Sequence, residues 1–292
     1  MQRPDEKALS LALADDAPLI MGIVNITPDS FSDGGDYFNP DKAYAHAVQL
    51  IEKGADILDL GGESTRPNAF PVSPDEEQKR VLPVLEKLRQ THPDFPISID
   101  TRNADTMAKS LHSGATMIND VAGFRGSGCL DVIARHTPYI CIMHMQGEPQ
   151  SMQKKPIYNN VVKDIVDFLG ERIRACIEQG ISQDKIMIDP GIGFGKDESH
   201  THQILRALDR FNALGCPVLL GASRKSFIPK MLRRDIVAKD RLAGSLASVL
   251  WGLEKGIKVF RVHDVAQTKQ ALDLWRVMSQ PEWNESDLSK MQ

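Results

Sequence analysis

Short apolar runs recur along the chain, and each stops abruptly at polar residues. The run before Asn25 opens into a polar, glycine-ended stretch, so that residues 21–35 read MGIVNITPDSFSDGG. Residues 55–60 lead into GGESTRP (61–67), 95–99 into Asp100-Thr101-Arg102, and 115–118 into Asn119-Asp120. Further on, 139–143 ends in His144, 185–188 in DPGIGFGK (189–196), 217–220 in GASRKSF (221–227), and 257–260 in Arg261-Val262-His263-Asp264. Between the runs, apolar spacing near 3.6 predicts helices. Asn39-Pro40-Asp41 starts one that reaches about residue 53, and Ser73-Pro74-Asp75-Glu76 combines a first-turn proline with capping-box spacing at the head of another that runs to about residue 90. Others are expected over 105–112, 129–135, 159–179, 200–211, 239–255 and 265–278.

Strands that alternate with helices imply a parallel α/β sheet. Eight strand-helix units in 292 residues fit a single (β/α)8 TIM barrel, which typically takes about 250 residues. An open doubly wound sheet is the alternative, but polar endings after all eight strands favour closure over a single switch point. The expected divisions are a lead-in at 1–18, the barrel at 19–279 and a polar tail at 280–292, with the active site at the C-terminal ends of the strands.

Composition narrows the picture further. Apolar residues make up 41%, charged residues 25%, and the net charge is −4, which gives no reason to expect nucleic acid as a partner. Arg3, Asp5, Glu6 and Lys7, followed by Asp15 and Asp16, argue against a signal peptide or membrane span, so a cytoplasmic location is expected. Cys129, Cys141, Cys176 and Cys216 are dispersed and form no C-x-x-C, which points to small apolar residues rather than zinc or disulfides. The run 191–196 is rich in glycine, yet Lys196 precedes Asp197 where a P-loop needs Ser or Thr, and G-x-G-x-x-G is absent.

At the barrel mouth, the acceptors Asp100, Asn119 and Asp189 could meet the donor edge of a flat nitrogen heterocycle, because ionised acceptors make the stronger hydrogen bonds. Arg66, Lys225, Arg261 and His263, with the hydroxyls of Ser64 and Thr65, could hold a phosphate. Each also has a plainer reading. Asp100 could cap a helix, Asn119 could form an Asx turn, the cations could be solvated, His144 or His263 could satisfy backbone groups, and Phe31 and Phe194 could be packing. Their coincidence at one barrel face favours a site.

The series MGIVNITPDSFSDGG, LDLGGESTRP, SIDTRNADT, MINDVAGF, IMHMQGEPQSM, IDPGIGFGK, GASRKSFI and FRVHDV, in this order, resembles the motifs of the bacterial dihydropteroate synthase family over residues 19–275. The resemblance implies condensation of 6-hydroxymethyl-7,8-dihydropterin pyrophosphate with p-aminobenzoate, giving 7,8-dihydropteroate and pyrophosphate, with sulfonamides competing for the p-aminobenzoate site. By the same resemblance, Asp100, Asn119, Met143, Asp189 and Lys225 would contact the pterin. Asn25, Thr65, Arg66, Arg261, Val262 and His263 would hold the pyrophosphate, with Asn25 acting through Mg2+. Phe31, Thr65, Arg66, Pro67, Phe194, Lys225 and Ser226 would form the p-aminobenzoate pocket. Asp100, Lys225, Arg261 and His263 would be the catalytic group.

Family members are thought to release pyrophosphate first, so the loops at 25–37 and 61–72 are expected to close and keep water from a pterin-stabilised cation. Asn68 stands where many relatives have glycine, a place Asn tolerates. Relatives are commonly homodimers. The rival readings are a pterin-binding methyltransferase domain and a non-catalytic pterin-binding protein. SFSDGG together with SRKSF argues against the first, and an intact set of Asn25, Asp100, Lys225 and His263 argues against the second.

Overall fold

The computed structural model describes residues 3–27, 39–64, 71–148, 152–153 and 155–279. Eight strands run parallel: β1 (Leu19–Asn25), β2 (Ile57–Gly61), β3 (Ile97–Asp100), β4 (Met117–Asp120), β5 (Tyr139–Met143), β6 (Ile186–Asp189), β7 (Leu219–Leu220) and β8 (Val259–Val262). Hydrogen bonding orders them β6-β5-β4-β3-β2-β1-β8-β7. A parallel bridge between Ile188 and Val218, with the Ile188 N–H on the Pro217 carbonyl at 3.0 Å, joins β6 to the entry of β7 and closes the barrel.

Most strands extend one or two residues beyond their apolar runs. Asp100, Asn119, Asp120, Asp189 and Arg261 therefore sit on the last rungs of the sheet rather than in the loops after it. The reason is positional, since the upper barrel interior is polar and the apolar signal stops before the backbone ladder does.

The helices are α1 (Pro4–Ala14), α2 (Pro40–Glu52), α3 (Pro74–Thr91), α4 (Ala104–His112), α5 (Cys129–His136), α6 (Val161–Glu178), α7 (Glu198–Arg206), α8 (Phe227–Leu232), α9 (Leu242–Glu254) and α10 (Val265–Met278). Their starts follow the expected chemistry. Asn39 accepts from the N–H groups of Asp41 and Lys42, and Ser73 accepts from Glu76. The helix expected over 200–211 is divided. Asp197 caps it earlier by accepting from the His200 N–H, α7 ends at Arg206, and a 3-10 segment over Leu208–Leu214 buries Leu208 and Phe211. Likewise α9 begins at Leu242, after a 3-10 turn at Ala238–Asp240.

Apolar side chains pack mainly in two places, with a smaller cluster near the mouth. One layer lies between the strands and the outer helices, where Ile20, Val24, Leu58, Leu60, Ile99 and Ile118 face residues such as Leu50, Val84 and Leu88. The other fills the barrel floor with Leu19, Met21, Ile57, Met117, Tyr139, Met187, Leu219 and Val259. α1, which the lead-in at 1–18 gave no reason to expect, plugs that floor with Leu9, whose full burial contributes about 2 kcal/mol. The plug is fastened by Asp5, which accepts from Thr116 Oγ1 at 2.6 Å and Arg89 Nη2 at 3.2 Å, while Arg3 donates to the Ala115 carbonyl at 2.9 Å. All four cysteines are buried free thiols.

Candidate active site

In a parallel barrel, alternate residues of each strand point inward, and register decides which of them share a level. Gly61, Asp100, Asn119 and Cys141 are successive partners across β2 to β5 and form one row, while Asp59 pairs with Ser98 one pleat nearer the floor. Arg261 of β8 bridges the two levels. Its Nε donates to Asp59 Oδ2 at 2.6 Å and its Nη2 to Asp100 Oδ2 at 2.8 Å, and Asn119 Nδ2 reaches the same Asp59 oxygen at 3.2 Å. The plain readings of Asp100 and Asn119 therefore lapse. Asn103, not Asp100, holds the cap position of α4, and the turn chemistry belongs to Asp120, which accepts from the N–H groups of Ala122 at 2.7 Å and Phe124 at 2.6 Å.

Charge in this space is unbalanced. Burial pushes the Asp100 carboxyl up to about 7; Arg261 opposes the rise, and Asp59, Glu77 and Asp120 add to it. Asp120 is raised to about 6, again by burial, against its two backbone hydrogen bonds. For Arg261, burial works against the charge, but Asp59, Asp100 and Asp189 outweigh it and hold the proton firmly. Burial lowers Lys225 to about 8, with Asp189 pulling the other way and Arg261 adding to the fall. Burial likewise raises Asp189, against Lys225 and the Gly191 N–H that it accepts at 2.7 Å.

The loop after β6 carries Phe194 and is tied down tightly. Gly191 has φ +71, and a Cβ there would lie 1.9 Å from the His144 carbonyl oxygen, so only glycine fits. Lys196, which the sequence already argued against as a phosphate-loop lysine, turns inward with 4% of its surface accessible. Its Nζ lies 2.9 Å from His144 Nδ1, 2.8 Å from the Phe194 carbonyl and 3.2 Å from the His144 carbonyl. Burial, with Lys196 adding to it, lowers His144 to about 2, so the imidazole is neutral, and burial also pulls the Lys196 ammonium well below the ordinary lysine range. Above this clamp, Lys225 donates to the Ile192 carbonyl, and its ammonium lies 4.7 Å from the Phe194 ring centre. Met143 packs with Val121, Met145 and Met152 beside Phe194.

On the β8 side, Ser223 Oγ accepts from the His263 backbone N–H at 3.2 Å and lies 3.0 Å from its Nδ1, which fixes the ring. Asn25 ends β1 in register with Gly61, beneath the mouth. Val262 is buried in the outer apolar layer, so only its backbone can meet a ligand. Ser226 is exposed at the start of α8. Phe31, Thr65, Arg66, Pro67 and Asn68 lie outside the described residues. Two cavities, of about 260 Å³ beside Arg125, Asp131 and Arg172 and about 450 Å³ beside Leu82, Lys109 and His112, are lined by none of these site residues.

Sequence reasoning passed over four residues of this arrangement. Asp59 sits inside an apolar run, and its charge there was the available signal. Lys196 and Ser223 lay within motifs without an assigned partner. Glu77 is buried on α3 and accepts from Thr101 Oγ1 at 2.9 Å and Asn103 Nδ2 at 3.0 Å, ties that only tertiary structure makes.

Residues 21–263 match the pterin binding enzyme family. The chain is similar to the dihydropteroate synthase of Haemophilus influenzae, 43% identical over 93% of this chain and 96% of that one. Among solved structures, it resembles the Yersinia pestis dihydropteroate synthase in complex with a sulfonamide drug, at TM-score 0.85 and 40% identity, covering 91% and 95% of the two chains. It also resembles the Xanthomonas albilineans dihydropteroate synthase in complex with 7,8-dihydropteroate, at TM-score 0.82 and 42% identity, with the same coverage.

Proposed function

The chain belongs to the pterin-binding enzymes and, among them, to the dihydropteroate synthases, and from that membership we propose how its residues divide the work. It is a transferase that joins 6-hydroxymethyl-7,8-dihydropterin pyrophosphate to p-aminobenzoate, releasing pyrophosphate and forming 7,8-dihydropteroate; sulfonamides compete with p-aminobenzoate.

The pterin lies deep in the barrel. Asp100, Asn119 and Asp189 accept from its N–H groups, Lys225 donates to it, and Met143 supplies an apolar wall. The observation that carries this reading is the Arg261 bridge, which brings a cation within 2.8 Å of Asp100 at the level of Asn119. Arg261 and His263, with Thr65, Arg66 and the Val262 backbone, hold the pyrophosphate and offset its charge as the carbon–oxygen bond breaks. That bond breaks first. The methylene cation left behind is conjugated with the pterin, and the ionised Asp100 carboxylate stabilises it until the p-aminobenzoate nitrogen forms the new bond and loses a proton. Phe194 and the Lys225 stem flank the aromatic ring, with Phe31 and Pro67 completing the pocket, and Ser226, Thr65 and Arg66 meet its carboxylate.

A magnesium ion fits this arrangement. It favours hard oxygen ligands and usually takes only one or two from protein when a substrate phosphate is present, and Asn25 offers a side-chain carbonyl at the end of β1. Bound there with pyrophosphate, it would supply further neutralisation of the leaving group.

The protein acts as a cytoplasmic homodimer. Four buried free thiols suit a reducing compartment, no helix among the described residues is long and apolar enough to cross a membrane, and the exposed Trp251, Leu274 and Met278 of α9 and α10 offer apolar surface to a second copy.

The test follows pyrophosphate release with magnesium, with and without p-aminobenzoate, together with dihydropteroate by mass. Coupled formation of both products, weakened about 10²-fold or more in Lys225→Ala, supports this division of roles. Pterin binding without dihydropteroate would overturn it in favour of a methyltransferase-like or non-catalytic barrel.

A further inference from the structure

Asp59 is fully buried, with 0% of its side chain accessible, on a strand whose other inward neighbours at that depth are apolar or small. Both groups it binds have been assigned to substrate. Its Oδ2 takes Arg261 Nε at 2.6 Å and Asn119 Nδ2 at 3.2 Å, while Oδ1 has no hydrogen-bond partner among the described residues. A buried ion pair is weak evidence for stability, because apolar replacements often serve as well. Something other than folding is therefore the better reason for a carboxylate at this depth.

The geometry supplies that reason. An ionised carboxylate only accepts hydrogen bonds, so Asn119 must present its NH2 group to Asp59. Asp59 lies one pleat nearer the floor than the Gly61–Asp100–Asn119 row, so the amide carbonyl of Asn119 is turned toward the mouth. Arg261 meanwhile is held at two points, by Asp59 through Nε and by Asp100 through Nη2, which fixes the plane of the guanidinium. We propose that Asp59 is a positioning residue for the synthase reaction, setting Asn119 as an acceptor for the pterin donor edge and Arg261 as a fixed cation beside the leaving group.

The inference rests on the roles proposed above for Asn119 and Arg261. It carries a signature that a structural role lacks. The charged groups facing Asp100 are Arg261 of β8, Lys225 after β7, Asp59 of β2, Glu77 of α3 and Asp120 of β4, and Asp59 is one of those that hold its carboxyl high. Removing the Asp59 charge lets Asp100 ionise at lower pH.

The experiment compares Asp59→Asn and Asp59→Glu in the full chain, with melting curves for each. For Asp59→Asn, kcat/KM for the pterin pyrophosphate falls on the order of 10²-fold, the loss typical of a misplaced catalytic group, and KM for p-aminobenzoate stays near wild type. The acid limb of its pH profile moves to lower pH. Asp59→Glu keeps the charge, so its limb stays in place, while the displaced carboxylate still lowers kcat/KM for the pterin substrate. If the Asn variant fails to fold, the Glu variant decides through the same split between substrates. Equal losses for both substrates, or an Asn variant with an unmoved acid limb, overturn the inference. A wild-type enzyme that makes no dihydropteroate would instead overturn the roles of Arg261 and Asn119, and a wild type that turns over beside an unaffected Asn variant would sink only the Asp59 role.

Discussion

Replacing Asp100 by Asn is expected to stabilise the protein while disabling it. The barrel interior holds Asp59 and Asp100 against one bridging cation, Arg261, so one carboxylate is in excess and Asp100 is pushed from 3.8 to about 7. A rise of that size corresponds to about 4 kcal/mol. The sign follows from proton binding: between pH 4 and 7 the folded Asp100 holds a proton that the unfolded chain has lost, so its contribution is fully present below the unfolded value and disappears as pH rises through about 7. Asp100→Asn carries no such penalty and leaves Arg261 paired one to one with Asp59. Its melting temperature is therefore expected to match wild type near pH 4 and to exceed it increasingly up to pH 7, with a plateau above. At roughly 2 °C per kcal/mol for a chain of this size, the plateau is about 8 °C at most. Over the same range, wild-type kcat/KM for the pterin pyrophosphate falls as pH drops below about 7, because it reports ionisation in the free enzyme, whereas Asp100→Asn is poorly active throughout. Scanning calorimetry and pyrophosphate release from pH 4 to 9 measure both. A variant less stable than wild type at pH 8, or a stability difference that does not change with pH, would refute the reasoning.

Lys196→Met removes two contacts that hold the Phe194 loop to His144 at the end of β5, and a third, to the Phe194 carbonyl, within the loop itself. KM for p-aminobenzoate is expected to rise about tenfold, in line with roughly 1.4 kcal/mol of lost positioning, while calorimetric affinity for the pterin pyrophosphate stays unchanged. Asp5→Ala leaves Arg89 and Thr116 without their buried carboxylate and loosens the α1 plug. Urea unfolding is expected to show a loss of about 3 kcal/mol, with kcat preserved below the transition because the plug lies at the opposite end of the barrel.

The barrel was legible because its cause is local. Each strand is an apolar run a few residues long, each helix has its own spacing and cap, and Asn39 and Ser73 mark their helices as the sequence says they should. The polar strand endings were equally visible, and so was the series of motifs that marks the family. Strand ends extend past the apolar signal because Asp100, Asp189 and Arg261 are polar residues inside a ladder, and periodicity registers side chains rather than backbone hydrogen bonds. α1 leaves little sign in the sequence because its inward face is short, with buried Asp5 and Leu9 and partly buried Ala12 and Leu13 against the barrel floor, and one of those positions is charged.

Nearest neighbours along the chain settle the order of the elements, their type, and the supply of acceptors and cations after the strands. Pairings across long stretches of chain belong to the tertiary structure. Asp59 meets Arg261 across 202 positions, Asp5 meets Thr116 across 111, and Lys196 meets His144 across 52. Strand pairing brings such residues together, β2 and β8 on either side of β1 and β5 beside β6, and only burial inside the barrel turns an ordinary carboxyl at Asp100 into one that titrates near neutrality.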